Sequence, residues 1–215
     1  MRASWRSLLP AMLVLLVIVA GLSFLLAKGS SKPTLPGGAQ QSAPGSGYYG
    51  TLTLPPRQAP AIDLRNYRGK RVTLSEYRGK AVLVTFLYAN CPDVCPLIAS
   101  NLRVALNLLG AKATDAQVIA VSVDPRGDTP AAVGRFLRAH EMAGRMQYLI
   151  GSAGELARTW SAWRVGSQRE AGQPELVAHS ALVYGVSASG KLTTVYPPTF
   201  EPSEIAHDVP RLATH

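Results

Sequence analysis

Cysteine and histidine are scarce in this chain. Of 215 residues, only Cys91 and Cys95 are cysteines, and only four are histidines. Any chemistry that needs a thiol must therefore use this one pair. Two cysteines alone supply too few ligands for a zinc site, which takes four. The sequence also shows no internal repeat, which argues against a repeat architecture.

Acidic residues are also few, since 13 Asp and Glu stand against 22 Lys and Arg, giving a net charge of +9. Much of the positive charge falls in one stretch, at Arg65, Arg68, Lys70, Arg71, Arg78 and Lys80. Such a stretch is either a solvated surface or a docking face for an acidic partner or an anionic lipid. No nucleic-acid recognition motif is visible, so we expect no nucleic acid among the partners.

The two cysteines lie in the stretch VLVTFLYANCPDVCP, residues 82–96. Its first six residues, Val82 to Leu87, have the composition of a buried strand. A proline follows each cysteine and disfavours the helical conformation in the residue before it. We therefore predict that a helix begins at Pro96, continues over residues 97–109 and stops at Gly110. Both sulfurs would then lie at a helix N-terminus, where the partial positive charge favours thiolate.

The spacing of the pair leaves a disulfide and a shared metal open. Cys-x3-Cys differs from the Cys-x2-Cys of thioredoxin-type oxidoreductases. Two soft sulfurs select copper(I) or zinc, and because two ligands are too few for zinc, we expect a third ligand downstream.

The cysteine stretch resembles the signature of a known family. Residues 86–96, FLYANCPDVCP, resemble the motif of the Sco/SenC family, membrane-anchored copper proteins that assist cytochrome c oxidase assembly. Two further segments are similar to the family in the same order: SVDPRGDTP from Ser122 to Pro130, and AHSALVYGVSASGKL from Ala178 to Leu192. The resemblance covers roughly residues 60–210 and implies a thioredoxin-like α/β domain, with a central mixed sheet flanked by helices.

The same resemblance implies the function of the site. It makes Cys91, Cys95 and His179 the ligands of one copper ion, which a metallochaperone passes to the copper-binding subunit of cytochrome c oxidase. The family commonly has Asp where this chain has Ala178, so the resemblance transfers the histidine as a ligand but not the tuning of its affinity or redox behaviour. The resemblance also places the loop that contains Asp124 beside the copper site. Asp124 either orients a ligand there, meets a partner or only stabilises a turn.

Two alternatives use the cysteines differently. As a redox-active pair, Cys91 and Cys95 would make the chain a thiol-disulfide oxidoreductase that reduces the cysteines of the oxidase subunit. In an oxidising compartment a Cys91–Cys95 disulfide would block copper binding, so a thioredoxin-like thiol reductant is an implied partner. A thiol peroxidase is disfavoured because the usual Pro and Thr/Ser pattern before a peroxidatic cysteine is absent. We therefore expect a chaperone rather than an enzyme.

The N-terminal region predicts a membrane anchor. The apolar run 8–27 is long enough to cross the ~30 Å hydrocarbon core of a bilayer. A cleaved signal peptide is the alternative, but its apolar region would be shorter and the exit at Ala27 is a poor cleavage site. The numbers of Lys and Arg on the two sides of this apolar run are nearly equal, so they do not determine its orientation in the membrane. The family resemblance implies that residues 1–7 are cytoplasmic and that the rest lies on the periplasmic side.

Beyond the anchor, residues 28–58 have the Gly, Ser, Pro and Gln composition of a flexible tether, and residues 59–215 are the size of one domain. In the domain we predict strands at 61–64, 71–74, 117–123, 146–150, 180–186 and 191–196. We predict helices at 130–142 with Thr129 or Asp128 as its cap, at 152–163 capped by Ser152, and at 201–206 before Pro210. Residues 166–174 are predicted to be a polar loop that moves when metal binds.

The remaining histidines and two tryptophans fit structural roles. His140 falls on the apolar stripe of a helix and is predicted at the edge of the core. His207 and His215 are predicted to face solvent. Trp160 and Trp163 share one helical face, which indicates packing.

Overall fold

One mixed sheet of eight strands organises the domain in the computed structural model, which describes residues 47–170 and 173–215 but not the side chains of 52–56 and 167–179. The strands are β1 Thr51–Gln58, β2 Asp63–Asn66, β3 Arg71–Thr73, β4 Ala81–Leu87, β5 Ala116–Ser122, β6 Met146–Ile150, β7 Ser167–Glu170, β8 Gln173–His179, β9 Val183–Val186 and β10 Lys191–Tyr196. The α-helices are α1 Val94–Leu109, α2 Pro130–Ala139, α3 Ala153–Trp163 and α4 Pro202–Leu212. Short 3-10 helices cover Leu74–Tyr77 and Gly110–Asp115. The order of the sheet is β1-β10-β9-β4-β5-β6-β2-β3, while β7 and β8 form a separate pair.

The centre of the sheet is parallel and fully covered. β4 and β5 pair in parallel from Ala81 opposite Ala116 to Leu87 opposite Ser122, and β5 pairs in parallel with β6. All seven residues of β4 are buried, as a strand with both faces covered requires. Because the carboxyl ends of these strands meet at one edge, the loops that follow β4 and β5 lie side by side. One of these loops contains the cysteines.

The antiparallel half of the sheet brings the C-terminal strands to the same edge. β9 pairs with β4, with Val183 opposite Thr85 and Val186 opposite Val82. β10 returns beside β9, and β9 begins at Val183 instead of the predicted residue 180. β1 pairs with β10 across an irregular register. Residues 51–58 of the predicted tether therefore belong to the sheet. The alternation of Thr and Leu in TLTL favours a strand. The prolines at 55 and 56 fall where the register shifts, which is where a sheet tolerates proline.

Three more predicted elements differ from the structure. α1 begins at Val94 and not at Pro96, since a proline in the first turn removes an N–H that has no helical partner. α4 runs through Pro210 to Leu212 and does not end near residue 206. The predicted loop at 166–174 instead enters a two-stranded hairpin, in which Ser167 of β7 lies opposite His179 of β8. His179 therefore ends one strand and does not open the next.

α4 fastens the start of the described chain to the domain. Asp208 is fully buried and accepts hydrogen bonds from the backbone N–H groups of Tyr49 and Gly50 and from the hydroxyl of Tyr196. His207 stacks on the Tyr49 ring at 3.9 Å and is hydrogen-bonded to Asp208 through Nδ1. His207 is thus less exposed than predicted, because Tyr49, 158 residues away in sequence, covers part of a side chain that remains 29% exposed.

The predicted anchor at 8–27 and residues 28–46 of the predicted tether lie outside the described residues. Among the described residues, one helical stretch, Val94–Asp115, is long and apolar enough to cross a membrane by length and composition alone. Seven residues of its α1 portion are buried, including Ile98 and Leu102, so it serves as a core helix of the domain.

Candidate metal centre

The two cysteines lie together at the beginning of α1. After β4 ends, the chain turns so that the N–H of Cys91 donates to the carbonyl of Tyr88 at 3.3 Å. Cys95 falls in the first turn of α1 and is completely buried, whereas Cys91 is 8% exposed. Neither cysteine is in a disulfide, and their side chains are hydrogen-bonded to each other. The predicted position of the pair at a helix N-terminus is confirmed.

The surroundings divide the pair into a thiolate and a thiol. The hydrogen bond from Cys95 is the main cause that lowers the pKa of Cys91 to about 5, and it outweighs the opposing effect of burial. The backbone N–H groups of Asp93 and Cys95 and the hydroxyl of Tyr88 act in the same direction. The pKa of Cys95 is raised, first because its proton is shared with Cys91 and second because it is buried. At neutral pH the pair therefore holds one negative charge, carried mainly by Cys91.

Asp128 holds the cysteine loop from its other side. Its buried carboxylate accepts the N–H of Ala89 at 2.7 Å through Oδ1 and the hydroxyl of Tyr148 at 3.0 Å through Oδ2. Burial raises the pKa of this carboxyl to about 6, although these hydrogen bonds act against the rise. The sequence interpretation offered Asp128 or Thr129 as helix cap. Thr129 caps α2 through Ala132 N–H, and Asp128 instead anchors the loop that carries Cys91.

The loop after β5 also touches the cysteine loop directly. The carboxylate of Asp124 lies so close to Gly127 that a Cβ at this position would overlap it, and Asn90 Nδ2 would lie 3.3 Å from the same Cβ. Asp124 also accepts the N–H of Arg126, which confirms its role in a turn. Glycine at 127 thus allows two functional loops to approach each other.

The backbone leads the chain after His179 toward the same edge of the sheet. β8 ends at His179, and four residues later Val183 begins β9 opposite Thr85. The carbonyl of Leu182 accepts the Thr85 hydroxyl at 3.0 Å, which fixes the intervening segment beside the end of β4. The side chain of His179 lies outside the described part of the chain. Among the described side chains, no three His, Cys, Asp or Glu residues gather as a metal site.

The other predicted structural residues behave as packing groups. His140 contacts the Phe136 ring at 4.6 Å, and burial lowers its pKa, in agreement with a place at the edge of the core. Trp163 is buried against Phe86 and Tyr184. His215 is exposed, as predicted. None of these residues belongs to the cysteine centre.

This arrangement suits two kinds of chemistry. A thiolate and a thiol in contact can bind a soft metal ion once the second proton is lost. They can also exchange with a disulfide, because the more acidic and more accessible sulfur, Cys91, can attack and the second can resolve the intermediate. Both reactions need a partner to approach from the side of Cys91, where Pro92 and Asp93 are exposed.

Comparison with known proteins agrees with this geometry. The SCO1/SenC family model matches residues 53–214. Curated relatives include the mitochondrial SCO2 homologue of Bos taurus, 29% identical over 155 residues, which cover 70% of this chain and 58% of the relative. The mitochondrial SCO1 homologue of Homo sapiens is 25% identical over 159 residues, with 72% and 51% covered. The chain thus spans little more than half the length of these relatives.

Solved structures show the same fold. Copper-bound ScoI of Bradyrhizobium japonicum is 28% identical with a TM-score of 0.65, and covers 73% of this chain and 99% of its own. Apo Sco1 of Thermus thermophilus is 32% identical with a TM-score of 0.64, covering 78% and 96%. The predicted thioredoxin-like α/β fold is confirmed. Since the family model spans most of the chain, cysteine centre included, this protein belongs to the SCO1/SenC family.

Proposed function

We propose that this protein is a copper metallochaperone that holds one copper ion through Cys91, Cys95 and His179. The single observation that supports this most strongly is the contact between the two sulfurs at the start of α1, where one of them is already acidic. Copper is the cargo in this function, to be released to the copper site of cytochrome c oxidase. The donor set fits copper(I), because two thiolates are soft ligands and a neutral imidazole is an acceptable third.

The proposal for His179 rests on the course of the backbone. The segment from His179 to Val183 is held beside the end of β4 by the hydrogen bond between Thr85 and Leu182. We propose the imidazole at the end of β8 as the third copper ligand. Because Ala178 replaces the acidic neighbour common in the family, the histidine would be oriented less strictly than in close relatives.

Relatives support the choice of metal. The Bradyrhizobium japonicum ScoI structure is described with copper bound, at 28% identity to this chain. A curated relative from Bacillus subtilis, an SCO1 homologue, is 25% identical over 135 residues. Copper as the cargo of this chain is our inference from the relatives and from the sulfur pair together.

We further propose the organisation predicted from sequence. Residues 8–27 anchor the chain in the cell membrane as a single pass, residues 1–7 remain cytoplasmic, and the soluble domain lies on the periplasmic side. Residues 28–46, which precede the fastening to Asp208, give the domain its reach toward a membrane-embedded partner, the copper-binding subunit of the oxidase.

Metal analysis tests the ligand set. Full-length protein in detergent is reconstituted with copper(I), and copper per chain is measured together with X-ray absorption. We expect one copper with two sulfurs and one nitrogen, and a sharp loss of copper in Cys91→Ser, Cys95→Ser and His179→Ala. His215→Ala, which removes an exposed histidine, is the matched control and should bind like the wild type. Full copper content in His179→Ala would exclude this residue as a ligand.

A second function is favoured by the unequal pKa values of the pair, namely reduction of the oxidase subunit's disulfide. The Cys91 thiolate would attack the disulfide and release one partner thiolate, which takes up a proton. Cys95, after losing its proton, would then displace the second partner thiolate, leaving a Cys91–Cys95 disulfide. A thioredoxin-like dithiol would return the two electrons.

The two functions separate in one variant. His179→Ala should keep disulfide exchange with the subunit and lose copper if the histidine serves only the metal. Cys91→Ser should lose both activities. If the His179 variant loses disulfide exchange as well, the reductase would not be an independent function of the pair.

A further inference from the structure

The basic residues that sequence places in one stretch separate in the structure. Arg71 is bound by Asp63 through hydrogen bonds of 2.7 and 2.5 Å. Arg78 donates to the carbonyl of Ser189 in the turn between β9 and β10. Three others stay exposed at the β2–β3 hairpin, with no ion-pair partner among the described residues: Arg65, Arg68 and Lys70.

A groove opens beside these three cations, between the hairpin and the loop that leads into α2. We call it the hairpin groove. Its volume is about 440 Å³, within the range of pockets that take one or two side chains of a ligand. Tyr67, Pro125, Pro130 and Ile150 supply apolar walls, and Arg65 lies at its edge. The groove therefore offers an apolar surface with positive charge beside it.

A fourth cation comes from α2. A Cβ on Gly134 would lie 3.4 Å from Arg138 Nη1 and 3.7 Å from Tyr67 Cε2, so the guanidinium and the ring both lie over this glycine. Arg68 lies on the Tyr67 ring as well, with Cζ 5.3 Å from its centroid. Tyr67 is thus placed between two exposed arginines.

The two acidic side chains of the groove are already engaged. Asp128 is buried and accepts the N–H of Ala89 and the hydroxyl of Tyr148. Glu155 accepts the N–H and hydroxyl of Ser152 in the capping box of α3. Both carboxylates keep their negative charge, but Asp128 is buried, and the exposed cations Arg65, Arg68, Lys70 and Arg138 outnumber the one exposed carboxylate, so a ligand meets net positive charge.

The groove and the cysteine centre share a wall. Asp128 lines the groove, and the amide that it binds belongs to Ala89, two residues before Cys91. Pro125 also lines the groove and follows Asp124, whose carboxylate lies next to Gly127, as does Asn90 Nδ2 of the cysteine loop. A chain bound in the groove would therefore lie next to the loops that position the sulfurs.

We propose that the hairpin groove binds an extended acidic segment of a partner protein. One aromatic or apolar side chain of this segment fills the groove at Tyr67 and Ile150, and its carboxylates pair with Arg65, Arg68 and Arg138. The proposal that such a segment binds rests only on the shape and charge of the hairpin groove. That the partner is the copper acceptor rests on the proposed function.

The geometry favours a protein over a lipid surface. Tyr48, near the start of the described chain, lines a cavity with Ser189 and His215 at the β9–β10 turn. This turn follows Val186, which is paired with Val82 near the beginning of β4. The described chain thus begins at the end of the sheet opposite to the groove. A concave groove suits a projecting peptide side chain better than a flat bilayer.

A peptide titration tests the proposal. The probe is the fluorescent hexapeptide Asp-Glu-Pro-Phe-Asp-Glu, and the neutral probe is Asn-Gln-Pro-Phe-Asn-Gln, both titrated against full-length protein in uncharged detergent. We expect the acidic probe to bind, binding to weaken with salt, and the neutral probe to bind at least about tenfold more weakly. Arg65→Glu, Arg68→Glu and Arg138→Glu should each weaken the acidic probe about fivefold, as reversed charges at the edge of an interface do.

Controls locate the binding. Lys112→Glu and Lys191→Glu make the same charge change at exposed positions outside the groove and should leave binding unchanged. A probe with benzophenone in place of the phenyl ring should crosslink at Tyr67 or Ile150. Equal weakening by the control variants, or crosslinks elsewhere, would overturn the groove. Displacement of the probe by phosphatidylglycerol vesicles, with vesicle binding lost in Arg68→Glu, would overturn the protein partner in favour of lipid.

Copper content, measured on the same samples, keeps the two proposals apart. The arginine variants should hold as much copper as the wild type, because none of them is a proposed ligand. If the probe fails to bind while copper binds normally, the groove proposal is wrong and the metallochaperone stands. If copper is absent throughout while the probe binds at the groove, the proposed function is wrong and the docking site stands.

Discussion

Removing the Cys95 thiol should make Cys91 a weaker acid. The hydrogen bond from Cys95 is the largest cause that lowers the pKa of Cys91 to about 5. In Cys95→Ala, the N–H groups of Asp93 and residue 95 and the hydroxyl of Tyr88 remain as donors. We therefore expect the pKa of Cys91 to rise by at least about one unit and to stay below its ordinary value.

The assay is the pH dependence of alkylation by iodoacetamide, with thiolate absorbance in the ultraviolet as a second measurement. Cys95→Ser is the matched variant, because its hydroxyl can still donate and should keep part of the lowered pKa. In wild type, Cys95 should react much more slowly than Cys91, since it is fully buried and holds the shared proton. An unchanged titration of Cys91 in Cys95→Ala would refute the sharing of one proton and would assign the acidity to the helix terminus alone.

Three further predictions concern the loops around the pair. Asp128→Ala should lower the free energy of unfolding by about 2 kcal/mol or more in urea titrations, because the Ala89 N–H and the Tyr148 hydroxyl lose their acceptor. Burial raises the pKa of Asp128 to about 6, so between about pH 4 and 6 the folded state keeps a proton that the unfolded state has lost. As the pH rises through this range, the contribution of Asp128 to the free energy of unfolding falls by up to about 3 kcal/mol. Asp128→Asn should remove this fall, and an identical slope in both proteins would contradict it. Gly127→Ala should displace Asp124 and weaken copper binding with all three proposed ligands intact, as measured by competition with a copper(I) chelator.

Local sequence signals predicted the central elements well. The apolar run Val82 to Leu87 has no polar face, and it forms a strand that is buried on both sides. Ser152 followed by Glu155 makes a complete capping box at α3, and Thr129 before Pro130 caps α2. These signals act within a few residues, so the sequence carries them without knowledge of the tertiary structure.

Elements that depend on distant partners were missed. β7 and β8 pair with each other outside the main sheet. Their sequences therefore lack the alternation of apolar and polar residues that would identify a strand facing the core. β1 follows Gly, Ser and Pro-rich sequence and becomes a strand because β10 offers an edge. His207 is polar and C-terminal, and only the fold shows that Tyr49 covers part of it.

At the site, the sequence predicted the reactive cysteine pair but not the role of Asp128, which holds the loop that carries Cys91. Cys91 and Cys95 stand out as the only thiols of the chain, and their acidity follows from the helix terminus together with their contact. Asp128 could have been singled out, since it stands in the stretch similar to the Sco/SenC family. The sequence instead suggested Asp128 as a helix cap, because an Asp before a helix usually binds the N–H groups of that helix.

The placement of the cysteine loop depends on the register of the sheet as much as on the ligands. β4 leads to the cysteines, β5 leads to Asp124 and Asp128, and β9 follows the segment after His179. Each loop comes to the same edge only because β4 pairs with β5 in parallel and with β9 in antiparallel direction. A residue at this edge can therefore change metal binding without touching the metal, by shifting one loop against the next. The close approach at Gly127 and the bridge from Asp128 to Ala89 are where such coupling should be strongest, because both join the loop after β5 directly to the loop that carries Cys91.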